Sequence, residues 1–403
     1  MSLLQDKIFK LKGKVMHYAW GGNAFIPSWL GIENPEQKPF AEYWMGAHHL
    51  ASSDIITPHG ELSLHQLVID EPYEFIGEKV FHQFKELPYL FKVQDVKDIL
   101  SIQVHPSKSE AEKGFAHEEE MGIKANAVNR NYKDKNHKPE VLVALSEFWL
   151  LHGFKQPDAL RQTLENILEF KDLLPLFEHD DYKKLYRHVM EMPQHEVNSL
   201  LTPLVKRELE RRQNNALKKE EPGWWVSNLF HNNENIQHVD RGIFSIYFFN
   251  IVKVNPGEGV FQGAGVPHAY LQGQTMELMA NSDNVLRAGL TPKHIDIPEL
   301  IKHTIFKGVT PDVMKGEIGQ PVERNYPCPV PDFGISKLEL NPGDTYTATT
   351  TSLEIIVVME GALEINGTNN LSLKKGEAAA ILYGDTYKIS TSEHTLAYKA
   401  FVP

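Results

Sequence analysis

The chain has 403 residues, with 41 Lys and Arg against 53 Asp and Glu, for a formal net charge of −12. That length exceeds one small core and argues for about two or three domains, while the acidic balance argues against nonspecific nucleic-acid binding and leaves room for an anionic small substrate held by local cations. A hydrophobic content of 41% excludes a disordered chain, and the single cysteine, Cys328, excludes an intrachain disulfide and fits a reducing cytoplasm.

The N-terminal stretch MSLLQDKIFKLKGKV carries lysines throughout, unlike a secretory signal. No run approaches the ~18 apolar residues of a membrane span, so a soluble cytoplasmic protein is expected. PYLFKVQDV (88–96), ILSIQVH (99–105) and VLVALSEFWLLHGF (141–154) read as strands, with a helical stretch, HPSKSEAEKGFAHEEEMGIKAN, between the last two. The texture changes near Gln156. Leu160, Leu164, Ile167 and Leu168 follow the spacing of an amphipathic helix, as do Tyr182, Leu185 and Val189, and then Val197, Leu200, Leu201, Leu204 and Val205. The charged run KRELERR (206–212) continues that last helix on a solvated face, and Pro222-Gly223 falls near the end of a helical module spanning about 156–235.

Strand texture returns at IFSIYFFNIVKVNPGEGVFQG (243–263). After a few helical turns around 294–303, short strands with NG, KKG and YGD turns fill the chain from about 325 to the end. The coarse architecture is a β-barrel interrupted by helices and followed by a second β-barrel. NPGEGVFQGAGVPHAY (255–270) and LKKGEAAAILYGDTYKI (373–389) echo each other in outline. If the barrels are duplicates, only the first retains a histidine there.

Four segments concentrate polar groups: QVHPSK, DKNHKPE, GVPHAY and ELMANSDNVLRAGLTPK. In the strand SIQVH, side chains alternate, so Gln103 and His105 share a face. Glu140 opens one strand and His268 another. These four side chains supply the number and kind of ligands a zinc ion takes, and would leave it Lewis-acidic. The plainer reading is that these are ordinary histidines among the chain's 19. No CxxC or HExxH spacing decides between the two.

YAWGG (18–22), AEYWMGAH (41–48), LPYLFKV (87–93), SIQVHPSK, NHKPE, PHAYLQG (267–273) and ELMANSDNVLRAGLTPK together resemble the type I phosphomannose isomerases, over nearly the whole chain. The resemblance implies a mainly β fold of two cupin-like (jelly-roll) barrels plus an α-helical domain. It implies one zinc per chain and interconversion of mannose 6-phosphate and fructose 6-phosphate. Laid on this chain, residues 1–155 and 239–322 form the catalytic barrel, 156–238 the helical insertion, and 323–403 a degenerate barrel. The zinc ligands would be Gln103, His105, Glu140 and His268. Arg287 matches the family's catalytic arginine, and Lys138, His137, Lys92 and Asp283 match residues that handle substrate. A sugar phosphate is the implied partner, without nucleic acid or membrane, for a monomer or weak homo-oligomer.

The chemistry calls for such residues. Aldose–ketose isomerisation needs a base near neutrality, a stabiliser for a developing enediolate and a grip on phosphate. Arg287 offers two parallel hydrogen bonds. Lys92, Lys138, Lys108 and Lys293 add positive potential, and Trp20 and Trp44 line a sugar pocket. His137, Lys138 and Glu277 are each eligible as the base. Each has a plainer reading too: solvated lysines at Lys92 and Lys293, a helix start at Lys108, a cap at Asp283, an orienting role for Glu277, core packing for the tryptophans, and an Asp283 ion pair for Arg287. A sugar-phosphate-binding protein without catalysis and an iron dioxygenase are rival classes, and a related epimerase or another sugar-phosphate isomerase, which shares the pocket chemistry, is a closer rival than either. Arg287 and Lys138 argue against the first, and a glutamine ligand against the second.

Overall fold

The computed structural model describes residues 6–230 and 236–403. The first five residues of the N-terminal stretch, and residues 231–235, where the sequence ends the helical module, lie outside the described residues. The architecture is mainly β with several helices, and one long strand, His268–Ala280, organises it. Its first half pairs with Phe148–Phe154 on one side and Ile102–Val104 on the other. Its second half pairs with Tyr89–Val96 and Glu140–Ala144. The partners change around Gly273. Its φ is +123°, and a Cβ there would approach Glu147 O to 2.5 Å, so only glycine fits.

Register puts the chemistry in rows, because directly opposite residues on antiparallel strands share a face. Arg287 lies opposite Gln103, Gln103 opposite His268, and His268 opposite His152. Four polar side chains thus cross the sheet in one row. Beside it, Gln262 lies opposite Glu140, and Glu140 opposite Met279.

Ile102 and Val104 alternate with Gln103 and turn to the other side. There they are fully buried in one core with Leu160, Leu185, Val189, Leu201 and Leu204. These come from the helices Pro157–Asn166, Tyr182–Glu191 and Gln194–Gln213, which lie over the back of the site-bearing sheet.

The sequence reading needs four corrections. The first helix stops at Asn166, where Ile167 turns extended, and Leu168 is 68% exposed at the start of a 3-10 segment, Leu168–Asp180. IFSIYFF is not strand from its start: Gly242–Phe248 is a helix buried along its length, and the strand is Phe249–Val254. A run apolar on every side carries no period to separate helix from strand. In KRELERR, Glu208 is buried and paired with Arg211 at 2.8 Å rather than solvated.

The fourth correction concerns the chain's first strands. Ile8–Lys12 pairs with Ala378–Ile381, and the hairpin Asp54–Thr57 and Gly60–Ser63 follows it into the same nine-stranded sheet. A boundary at 323 therefore cuts through a sheet built from both ends of the chain. A four-stranded sheet, of Thr345–Thr349, Thr386–Ser390, Ala362–Asn366 and Asn370–Lys374, accompanies it.

Gly273→Ala is expected to destabilise the protein by roughly 1–3 kcal/mol from backbone strain alone, more where Glu147 cannot give way. The midpoint of urea unfolding measures this; an unchanged midpoint would show that the strand does not need its glycine.

Candidate functional site

His105, Glu140 and His268 meet in the interior, all nearly inaccessible to solvent, with their ligand atoms within 4.8 Å of one another. His105 Nε2 lies 3.4 Å from one Glu140 oxygen and His268 Nε2 lies 3.3 Å from the other. The opposite ring nitrogens settle the tautomers. His105 Nδ1 is 2.8 Å from Asn284 O, and His268 Nδ1 is 2.9 Å from Val266 O. A carbonyl only accepts, so each Nδ1 carries the proton and each Nε2 presents a lone pair. Both Nε2 atoms are buried without a hydrogen-bond partner. Two lone pairs aimed at a carboxylate repel unless a cation sits among them, so this donor set fits a metal ion.

The electrostatics agree. Burial pushes the His105 imidazole down to about 4, which keeps it neutral and able to ligate. Burial alone would raise the Glu140 carboxyl, but Lys138 and the histidines overcome that and hold it well below the usual carboxylate range. Lys138 Nζ is 3.2 Å from Glu140.

Gln103 projects from the neighbouring strand into a cavity of about 590 Å³. Trp20, Trp44, Lys92, Lys138, Asp283, Arg287 and Lys293 line the same cavity. Arg287 makes no ion pair with Asp283. That carboxylate instead faces His48 Nε2 at 3.5 Å, and His48 holds it below its ordinary value against the effect of burial. Burial lowers the Arg287 pKa, and among the described residues its guanidinium has no carboxylate partner.

Three candidates lie elsewhere. Lys108 is the exposed first residue of the helix Lys108–Glu120 and donates to Asn136 Oδ1 at 3.1 Å, as its plainer reading holds. His137 turns to Asp332, with its Nε2 3.0 Å from both oxygens. Glu277 is buried behind the cavity wall. It accepts from Lys92 Nζ at 2.9 Å, Gln94 Nε2 at 3.0 Å and Tyr270 Oη at 2.8 Å, and burial raises its pKa. Burial alone would pull the Lys92 ammonium down, but Glu277 and Glu42 hold it above the ordinary lysine value.

Sequence reasoning missed several contributors. Glu42 accepts from Trp44 Nε1 at 2.6 Å and Gln94 Nε2 at 2.7 Å. Its signal was available: Glu42 and Trp44 alternate within AEYWMGAH, on one face of a strand. Asn284, which orients His105 through its carbonyl, and Tyr270 left no comparable signal. His48, His49 and Asp283 also gather within 4.8 Å. There Leu50 N donates to His48 Nδ1, so Nε2 carries the proton and faces Asp283. That group is a hydrogen-bonded pair rather than a set of free ligands.

Residues 8–157 match the family model of the phosphomannose isomerase type I catalytic domain. The chain is 38% identical to mannose-6-phosphate isomerase of Escherichia coli, covering 92% of this chain and 94% of that protein. It is 32% identical to the Schizosaccharomyces pombe mannose-6-phosphate isomerase, covering 98% and 99%. Among solved structures it resembles mannose 6-phosphate isomerase from Salmonella typhimurium bound to substrate and zinc, with a TM-score of 0.85 and 34% identity over 98% of this chain and 100% of that one.

His105 and His152 are both held near pKa 4 by burial, whereas an unfolded chain takes up the proton near 6.5. The unfolded state therefore binds more protons between those values, and stability is full above pH 6.5 and lost as pH falls toward 4. Chelator-treated protein should show its urea midpoint dropping over that window. His152→Leu should flatten the drop, and an equal slope in the variant would refute the assignment.

Proposed function

The chain belongs to the type I phosphomannose isomerase family, and from that premise we propose that it interconverts mannose 6-phosphate and fructose 6-phosphate with one zinc ion held by Gln103, His105, Glu140 and His268. The observation that carries this reading is the pair of buried Nε2 lone pairs facing Glu140, at the back of a cavity rich in cations. Bound there, zinc would act as a Lewis acid toward substrate oxygen.

The reaction runs through a cis-enediol. A base removes the proton from C2 of the aldose while O1 gains one. The enediol then loses the O2 proton, and C1 receives a proton to give the ketose. Lys138 is our choice of base, because it lines the cavity beside Glu140. His137 is engaged with Asp332, and Glu277 is enclosed by Lys92, Gln94 and Tyr270. Arg287, free of carboxylates among the described residues, offers its parallel N–H groups to the phosphate or to the enediolate oxygen. Asp283 keeps the rim in order through His48. Glu277 and Glu42 hold Lys92 charged at the cavity wall. Trp20, Trp44 and Lys293 complete the substrate contacts, while Lys108 contributes charge only from outside the cavity.

The fold reading goes with the function. We read residues 1–155 and 239–322 as a catalytic cupin barrel, less the early strands that the last sheet takes, with 156–238 inserted and 323–403 as a degenerate second barrel. Among the described residues no helix is long and apolar enough to cross a membrane. A cytoplasmic monomer or weak homo-oligomer, acting on a sugar phosphate and not on nucleic acid, is our expectation.

The test is conversion of mannose 6-phosphate to fructose 6-phosphate by the protein as isolated, after chelation, and after zinc is restored. Activity should vanish and return with about one zinc per chain; a folded, zinc-loaded protein without activity would sink the reading. Arg287→Met should lower kcat/KM by on the order of 10²–10³-fold with zinc retained. Lys138→Met should lower kcat by on the order of 10²–10⁴-fold and abolish exchange of the substrate C2 proton with solvent. Persisting exchange in that variant would assign the base elsewhere.

A further inference from the structure

A second cavity, of about 870 Å³, borders the site from another side, and none of its lining residues is shared with the cavity that holds Arg287. Its inner wall includes His152. His152 is the last member of the row that runs Arg287, Gln103, His268, His152, so it stands one strand, about 5 Å, beyond a proposed zinc ligand and on the same face. Gln262 stands in the same relation to Glu140.

Each carries a buried polar atom outside close hydrogen-bond contact, Nδ1 of His152 and Oε1 of Gln262, and the two side chains face each other, with Gln262 acting as an acceptor toward the imidazole. Buried polar atoms so loosely paired are open to a ligand that comes between them. Together with the unpartnered Nε2 atoms of His105 and His268, they extend a trail of Lewis bases from the metal-ligating group toward the second cavity.

The two cavities differ in charge. The one with Arg287 is lined by Lys92, Lys138, Arg287 and Lys293; Lys92 and Lys138 are paired with buried glutamates, which leaves Arg287 and Lys293 against Asp283. The second is lined by Asp312 and Glu317 against Lys315 alone, with Cys328 beside them. A dication is repelled at the first mouth and attracted at the second, just as a sugar phosphate is drawn to the first. We infer that the second cavity is the route by which the metal ion enters and leaves, with His152 as a transit ligand that takes the ion over from His268. Anion and cation then use separate doors, and the metal exchanges without crossing the cationic substrate cavity.

This inference rests on the zinc reading above, and metal content separates the two. Purified holoenzyme is analysed for zinc by atomic absorption; absence of bound zinc overturns the zinc reading itself. With zinc present, release into a chromophoric chelator and uptake by the metal-free protein are timed. His152→Leu is expected to slow both at least threefold while final zinc occupancy stays at the parent value. Two exposed rim positions provide plugs that do not depend on that buried substitution. Thr310→Trp at the second mouth should slow exchange at least threefold, and Pro292→Trp at the substrate mouth should leave it at the parent rate. Slowed exchange in Pro292→Trp, with the parent rate in Thr310→Trp and His152→Leu, would send the metal through the substrate cavity and overturn the inference.

Discussion

Everything at the centre of this molecule depends on two hydrogen bonds that hold a proton on the far side of a ring. Without the Asn284 carbonyl, His105 could turn its N–H inward, and without the Val266 carbonyl so could His268. Each carbonyl is itself secured. The Asn284 side chain accepts from Lys133 N and donates to Asp134 O and Asn136 O, so one buried asparagine stitches the ANSDN segment to the segment leading into Glu140. Val266 sits in a turn whose Gly265 has φ +78° and donates its N–H to His105 O. The ligands from distant parts of the chain are thus positioned by each other's backbones, and a change in any of these loops reaches all three.

The helical layer enters the same logic from behind. Gln103 points at the substrate cavity only because Ile102 and Val104 point away from it, and those two need an apolar partner. The helices supply it, burying Leu151, Ala269 and Leu271 of the same sheet as well. A one-residue slip of the Ile102–Val104 strand would bury Gln103 in hydrocarbon, so the layer fixes the register on which the site depends. On the front, charge is managed by pairing. Lys92 is almost wholly enclosed, an arrangement that costs several kcal/mol unless compensated, and it lies between Glu277 and Glu42 at 2.9 and 3.8 Å.

Local pattern reveals what a local rule determines. The alternation in SIQVH was enough to put Gln103 on its face, and the acid opening EVLVA and the histidine after GVP fall at strand starts as their neighbours dictate. Most of the cavity-lining cations lie where the motifs suggest, although which of them touches substrate is a matter of the third dimension. His137 shows the limit: its partner, Asp332, is 195 residues away, and nothing near NHKPE announces it. Lys108 is a helix start before it is anything else. His152 was invisible for a related reason. In WLLHGF it looks like one polar residue in an apolar strand, and only cross-strand register gives it His268 as a neighbour. The pairing of Ile8–Lys12 with residues from the other end of the chain is likewise beyond any periodicity.

The faint echo between residues 255–270 and 373–389 acquires physical content from register. Gly257 N–H bonds Ala144 O, and Ala144 N–H bonds Glu258 O; Gly376 and Glu377 repeat this against Val358. Glu140 lies opposite Gln262, as Glu354 lies opposite Ile381 at the same spacing. In that correspondence the carboxylate persists as the buried Glu354, but the position of His268 is taken by Tyr387, whose hydroxyl donates to Glu354 at 2.6 Å. Glu277, opposite Leu142, corresponds to Lys399, opposite Ile356. At the matching positions the C-terminal sheets carry a phenol in place of the imidazole and a base in place of the acid. Lys399, 3.4 Å from Glu323 and bonded to Tyr346, brings the positive charge that these buried acids require. A metal ion would meet no open imidazole nitrogen there, and a lysine already stands beside the acids. The two sheets answer one electrostatic problem, a carboxylate sealed inside a β structure, in two ways. One leaves nitrogen lone pairs open for a metal; the other closes the account with a lysine.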